Sequence, residues 1–143
     1  MRTATAKFSA AVGASLVVAA ASVVAGQATA NAQPAGHQVR YTLTSAGGGE
    51  FGLFYLFNQP PNKDAYNKDA YSYLKNEQVT LGPGQPWTFE TTLADPQWAI
   101  LTVSSTTHGG RAAPDAHCEI AVDGQVVNQQ DAPYNLQCKL GQW

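Results

Sequence analysis

Cys118-Glu119-Ile120-Ala121-Val122-Asp123-Gly124-Gln125-Val126-Val127 is the stretch that decides the fold. Cys118, Ile120 and Val122 alternate with Glu119 and Ala121, the period-two pattern of a strand with one face buried. Asp123-Gly124 then separates two strand-like runs. A two-residue type I′ turn needs positive φ at both central positions, which Asp-Gly tolerates, so a β-hairpin is predicted here. Leu136, Cys138 and Leu140 continue the alternation downstream.

The same grammar extends upstream. Val39, Tyr41 and Leu43 alternate with Arg40, Thr42 and Thr44; Trp87, Phe89, Thr91 and Leu93 alternate with Thr88, Glu90 and Thr92. Phe51 to Phe57 is apolar at nearly every position, as expected of a central strand buried on both faces. Val79-Thr80-Leu81 and Trp98 to Val103 supply two further strands. Gly47-Gly48-Gly49, Pro60-Pro61, Gly82-Pro83-Gly84 and Asp95-Pro96 punctuate them, because glycine and proline suit turns and interrupt ladders. No segment carries a 3.6-residue period. Six to eight short strands with turn signals between them predict an all-β fold over residues 38–143, an antiparallel β-sandwich or barrel.

Residues 1–32 have a different composition. Arg2 and Lys7 precede an alanine- and valine-rich stretch, and Ala30-Asn31-Ala32 places small residues where a signal peptidase cuts. A basic start, an apolar middle and an A-x-A site predict a secretory signal peptide, followed by a flexible lead over residues 33–37. The alternative is a retained membrane anchor, which Ser9, Gly13, Ser15 and Ser22 make weakly hydrophobic. Membrane contact is expected only if that segment stays uncleaved. The expected location is secreted, periplasmic or cell-envelope.

The full chain has 143 residues and a formal charge of −2. Six basic and ten acidic residues follow Ala32, a balance of −4 that opposes nucleic-acid binding. Cys118 and Cys138 sit on predicted strands of an exported chain, where thiols oxidise, so a structural disulfide is expected. A metal site is a poor alternative. His117 is the only nearby candidate ligand, and adjacent strand residues point to opposite faces.

Catalytic signatures are missing. The chain has no nucleophile elbow, phosphate loop, zincin or dinucleotide motif. His37 and His108 fall in a lead and a glycine loop and are expected to be solvated. No cofactor, no metal and no enzymatic activity are expected. The unusual local feature is a tandem repeat, Asn62-Lys63-Asp64-Ala65-Tyr66 followed by Asn67-Lys68-Asp69-Ala70-Tyr71. It reads either as a duplicated solvent loop or as a recognition surface, because tyrosine offers rigid amphipathic contact area. Tyr66, Tyr71 and Tyr73 are the candidate partner-binding residues. Phe51, Phe54, Phe57, Trp87 and Trp98 read as core, or as the lining of a lipid or siderophore pocket. Trp143 is expected to be exposed or to cap one end of the sandwich.

The chain resembles the periplasmic domain of the MmpS proteins, small membrane partners of mycobacterial MmpL transporters. Cys118-Glu119-Ile120-Ala121-Val122-Asp123-Gly124-Gln125-Val126 is similar to that family's C-x-I-x-V-D-G-x-V, and Cys138 falls at its second cysteine. Val39 to Leu43, Phe54-Tyr55-Leu56 and Pro86 to Thr91 match its other segments more weakly. The resemblance implies a disulfide-paired, immunoglobulin-like sandwich without catalysis. It also implies an accessory role in export of siderophores or envelope lipids, with an MmpL-type transporter or an envelope protein as partner. The cleavable N-terminus and the Asn-Lys-Asp-Ala-Tyr repeat depart from that family.

Overall fold

The computed structural model describes residues 35–106, 109 and 111–143. The signal-peptide expectation for residues 1–32 and the placement of His108 lie outside the described residues.

Eight strands are described: β1 His37–Ser45, β2 Gly49–Leu56, β3 Leu74–Leu81, β4 Trp87–Leu93, β5 Ile100–Ser105, β6 Ala116–Val122, β7 Gln125–Ala132 and β8 Leu136–Lys139. A short helix, α1 Lys63–Lys68, lies between β2 and β3. The strands form two antiparallel four-stranded sheets, ordered β4-β1-β6-β7 and β3-β2-β5-β8. The expected β-sandwich is the observed fold, and β1 begins at His37.

Alternation builds the core. Val39, Tyr41 and Leu43 from β1 and Cys118 and Ile120 from β6 face Phe51, Leu53 and Tyr55 from β2 and Leu101 and Val103 from β5; all are essentially sealed from solvent. Tyr41, Tyr55, Phe89 and Trp87 form one chain of ring contacts, with centroids 4.7–6.5 Å apart. Cys118 on β6 and Cys138 on β8 are bridged, with Cα atoms 6.1 Å apart, and so tie the two sheets together.

The Asp123-Gly124 hairpin forms as expected, with φ of 51° and 86°. Between β1 and β2, Gly48 adopts φ +68°, and a Cβ there would lie 2.7 Å from the Leu81 carbonyl oxygen. Glycine is therefore required at this corner.

Three expectations need correction. β2 is central in its sheet but is not buried on both faces: Phe54 points outward and is 37% exposed. A two-layer sandwich leaves the outer face of each sheet in solvent, whatever residues sit there. Trp98 is not on a strand. It ends a 3₁₀ turn, Pro96–Trp98, which Asp95 caps: its carboxylate accepts from the Gln97 amide at 2.9 Å, and Pro96 has no N–H to satisfy. The repeat, expected to lack helix, contains α1. Asn62 caps it by accepting from the Ala65 amide at 2.8 Å, with Asp64 in the first turn and Lys68 in the last. Capping and end charges stabilise this helix, and six residues are too few to display a period.

Candidate functional site

The two copies of the repeat take different structures. Asn62 to Tyr66 caps and starts α1, whereas Asn67-Lys68 finishes it and Ala70-Tyr71 enters a 3₁₀ turn. The three tyrosines consequently part company. Tyr66 packs on Trp143 and Trp98, at 5.0 and 6.1 Å between centroids. Tyr73 is half-buried against the core, and its carbonyl accepts from the Phe57 amide at 3.0 Å. Tyr71 alone stands out, 77% exposed. Burial holds the Tyr66 hydroxyl above its ordinary titration range.

Trp143 caps one end of the sandwich. Its ring meets Trp98 edge-on at 5.7 Å and its Nε1 donates to the Trp98 carbonyl at 3.1 Å. The Lys63 ammonium lies over both indoles, 5.8 and 5.9 Å from their centroids, and donates to the Gln142 carbonyl. Tyr66 and Lys63 thus belong to a packing cluster that holds α1 on the sandwich.

The five aromatics weighed as a pocket lining do not enclose a cavity together. Phe51 is fully buried and Trp98 nearly so, Trp87 is half-buried against Tyr55, and Phe54 and Phe57 are exposed. Two clefts lie elsewhere. One of about 670 Å³ is bordered by Thr44, Asp115, His117, Asp131 and Pro133. Another of about 420 Å³ is bordered by Glu50, Ser105, Arg111 and Tyr134.

His117, a poor metal ligand in the sequence, centres a polar cluster in the structure. It faces outward from β6, opposite the buried Cys118. Its Nδ1 lies 2.7 Å from Asp131 Oδ1, and its Nε2 lies 2.9 Å from Glu119 Oε1. A protonated ring donates from both nitrogens, so two flanking carboxylates favour the imidazolium form. The hydrogen bond to Glu119 chiefly raises its pKa above 6.5, Asp131 adds to this, and partial desolvation acts against it. Thr44, His117 and Asp131 lie side by side across β1, β6 and β7. Glu119 nevertheless occupies the nitrogen that a neighbouring hydroxyl would need for activation. Among the described residues, no group of three or more His, Cys, Asp or Glu could hold a metal ion.

A pH effect follows. The folded-state pKa of His117 exceeds its ordinary value near 6.5, so its stabilising contribution is complete below that pH and is lost as pH rises through the raised pKa. Urea midpoints are expected to fall as pH is raised from 6 through the neutral range, and less so in His117→Gln. His37 pairs with Asp123 at 2.6 Å, and its hydrogen bond holds that carboxyl below its usual range. Equal pH slopes in the two proteins would refute the His117 assignment.

The features so far define a class: a disulfide-tied, two-sheet antiparallel β-sandwich in which no helix among the described residues is long and apolar enough to cross a membrane. The chain belongs to the family of the Rv2576c beta-sandwich domain, whose model matches residues 41–138. It is 42% identical over 117 residues to "Uncharacterized protein Rv2576c" of Mycobacterium tuberculosis and to "Uncharacterized protein Mb2606c" of Mycobacterium bovis, covering 81% of this chain and 74% of each relative. No solved structure matches it.

This family assignment corrects the resemblance to the MmpS proteins, because the matching model is a different one. The physical reason lies in the deciding stretch. Inward Cys118 and Ile120 followed by an Asp-Gly turn are what a hairpin disulfide-tied to a facing sheet needs. The motif therefore reports architecture rather than family membership.

Proposed function

We propose that the protein is a non-enzymatic extracytoplasmic binding module that engages its ligand on its outer surface. The observation supporting this reading is the distribution of aromatic side chains. Tyr41, Phe51 and Tyr55 fill the interior, while Phe54, Phe57, Tyr71 and Tyr134 are exposed. Exposed rings contribute contact area without holding the fold together. The disulfide fits an oxidising compartment, and the signal-like residues 1–32 fit export.

The test compares the distribution of the tagged full-length chain between cell envelope and culture medium in a mycobacterial host. Wild type is expected in the envelope fraction. A variant carrying Phe54→Ser, Phe57→Ser and Tyr71→Ser is expected to shift to the medium with its melting temperature retained. An unchanged distribution would overturn the reading. Tyr66 and Tyr73 are left intact because both pack on the sandwich.

A further inference from the structure

The two outer faces of the sandwich differ in chemistry. On the sheet of β4, β1, β6 and β7, charges meet: Arg40 with Glu90 at 2.6 Å, and His117 with Glu119 and Asp131. The other sheet carries a different surface. Phe54 on β2 stands in register with Asn76 on β3 and Thr102 on β5, and Thr102 with Gln137 on β8. The next row holds Gln78, Gly52 and Ser104. Phe54, Asn76, Gln78, Ser104 and Gln137 are all exposed.

Neither row contains a charged side chain; the nearest charges on these outward strand positions are Glu50 of β2, beyond the Gly52 row, and Lys139 of β8, beyond the Phe54 row. Together the two rows present one ring, three carboxamides and two hydroxyls. With strands about 4.8 Å apart, the row from Asn76 to Gln137 crosses three gaps, or roughly 14 Å. Gly52 keeps the surface flat. A Cβ there would lie 2.9 Å from Ser104 Oγ and 3.0 Å from Gln78 Nε2, so any side chain would displace both. Gln137 Nε2 donates to Thr102 Oγ1 at 2.9 Å, which uses one of its two N–H groups and orients the amide.

Amides and hydroxyls donate and accept alike, so this surface suits a neutral ligand dense in hydroxyl groups. Nucleic acid would need a cluster of cations, and next to these rows stands Lys139 alone, with Glu50 beyond the opposite row. A protein partner would need a desolvated apolar centre several side chains wide, and here a single ring is ringed by amides. The C–H face of a pyranose or furanose ring fits Phe54, with its hydroxyls directed at the surrounding polar groups.

We infer that the outer face of β3-β2-β5-β8 binds a neutral glycan, with Phe54 stacking on a sugar ring and Asn76, Gln78, Ser104 and Gln137 hydrogen-bonding its hydroxyls. The inference rests on the binding-module reading and supplies its ligand class.

The test measures retention of the purified full chain on insoluble chitin and cellulose. It is paired with titration of soluble hexasaccharides of glucose, N-acetylglucosamine, galactose and arabinose. At least one probe is expected to bind wild type. Phe54→Ala is expected to weaken that binding at least tenfold, Asn76→Ala severalfold, and Arg40→Ala on the opposite face not at all. Binding to none of the probes overturns the glycan assignment, as does equal binding by Phe54→Ala. So does a change of oligomeric state in Phe54→Ala, which would make the face a contact between two copies. If glycan binding fails while the surface-aromatic variant still leaves the envelope, only the ligand class is wrong; if neither responds, the binding-module reading fails too.

Discussion

Replacing Cys118 and Cys138 together by alanine is expected to lower the unfolding free energy by about 3 kcal/mol or more. The bridge spans 20 residues, and the loop entropy it removes from the unfolded chain accounts for about 3 kcal/mol. Both cysteines are fully buried, so the lost sulfur atoms also leave unfilled space between the sheets. The effect should be uneven across the structure. β8 is a four-residue edge strand paired only with β5, and the bridge ties it to β6 in the facing sheet. Without that tie, amide exchange should accelerate most at β8 and least at β1 and β6, which are central in their sheet. Urea denaturation of the oxidised and reduced wild type, beside the double variant, checks this. Coincident midpoints would show that packing alone holds β8.

How much of this was legible depended on how far apart in sequence the cooperating residues lie. The alternations around Tyr41 and Ile120, the Asp123-Gly124 turn and the cysteine pair are local patterns, and each placed its element correctly. Phe54 was misread because an apolar run does not reveal how many layers will cover it. α1 was missed because its signals, Asn62 and Asp64, act through capping rather than period.

The His117 cluster was half readable. Glu119 lies two positions along the same strand face, as the alternation implies. Asp131 did not follow from the turn, because a two-residue turn at Asp123-Gly124 pairs Val122 with Gln125 and Ala121 with Val126, a register that would bring Gln130 opposite His117. An irregularity between Ile120 and Ala121 shifts that register by one residue and brings Asp131 there instead. The row Asn76–Phe54–Thr102–Gln137 joins strands from distant parts of the chain, and its register is set by tertiary pairing that no local window carries.

Tyr41→Ala is expected to cost about 3–5 kcal/mol, the range for removing a large buried aromatic side chain. Tyr41 lies on central strand β1 with no exposed surface, and its ring packs on Tyr55 at 5.9 Å and on Phe89 at 6.5 Å. Its hydroxyl crosses to the other sheet and donates to the Leu56 carbonyl at 2.9 Å, at the end of β2. Tyr41 is thus a second tie between the sheets, independent of the disulfide. Tyr41→Phe keeps the ring and deletes only that bond, so it should cost about 1–3 kcal/mol for a carbonyl deprived of this partner in a buried place. Desolvation holds the hydroxyl protonated well above the usual tyrosine value of 10, with the Ile100 backbone acting weakly against it. Because the folded state retains a proton that the unfolded chain releases, stability should also fall as pH rises above 10, and Tyr41→Phe should flatten that decline. A domain of ordinary stability holds about 5–15 kcal/mol in total, so Tyr41→Ala should approach unfolding while Tyr41→Phe remains folded. Urea midpoints for both variants, taken at neutral and alkaline pH, decide the matter. Equal losses for Ala and Phe would place the whole effect in the hydroxyl, and a negligible loss for Phe would place it in the packed ring.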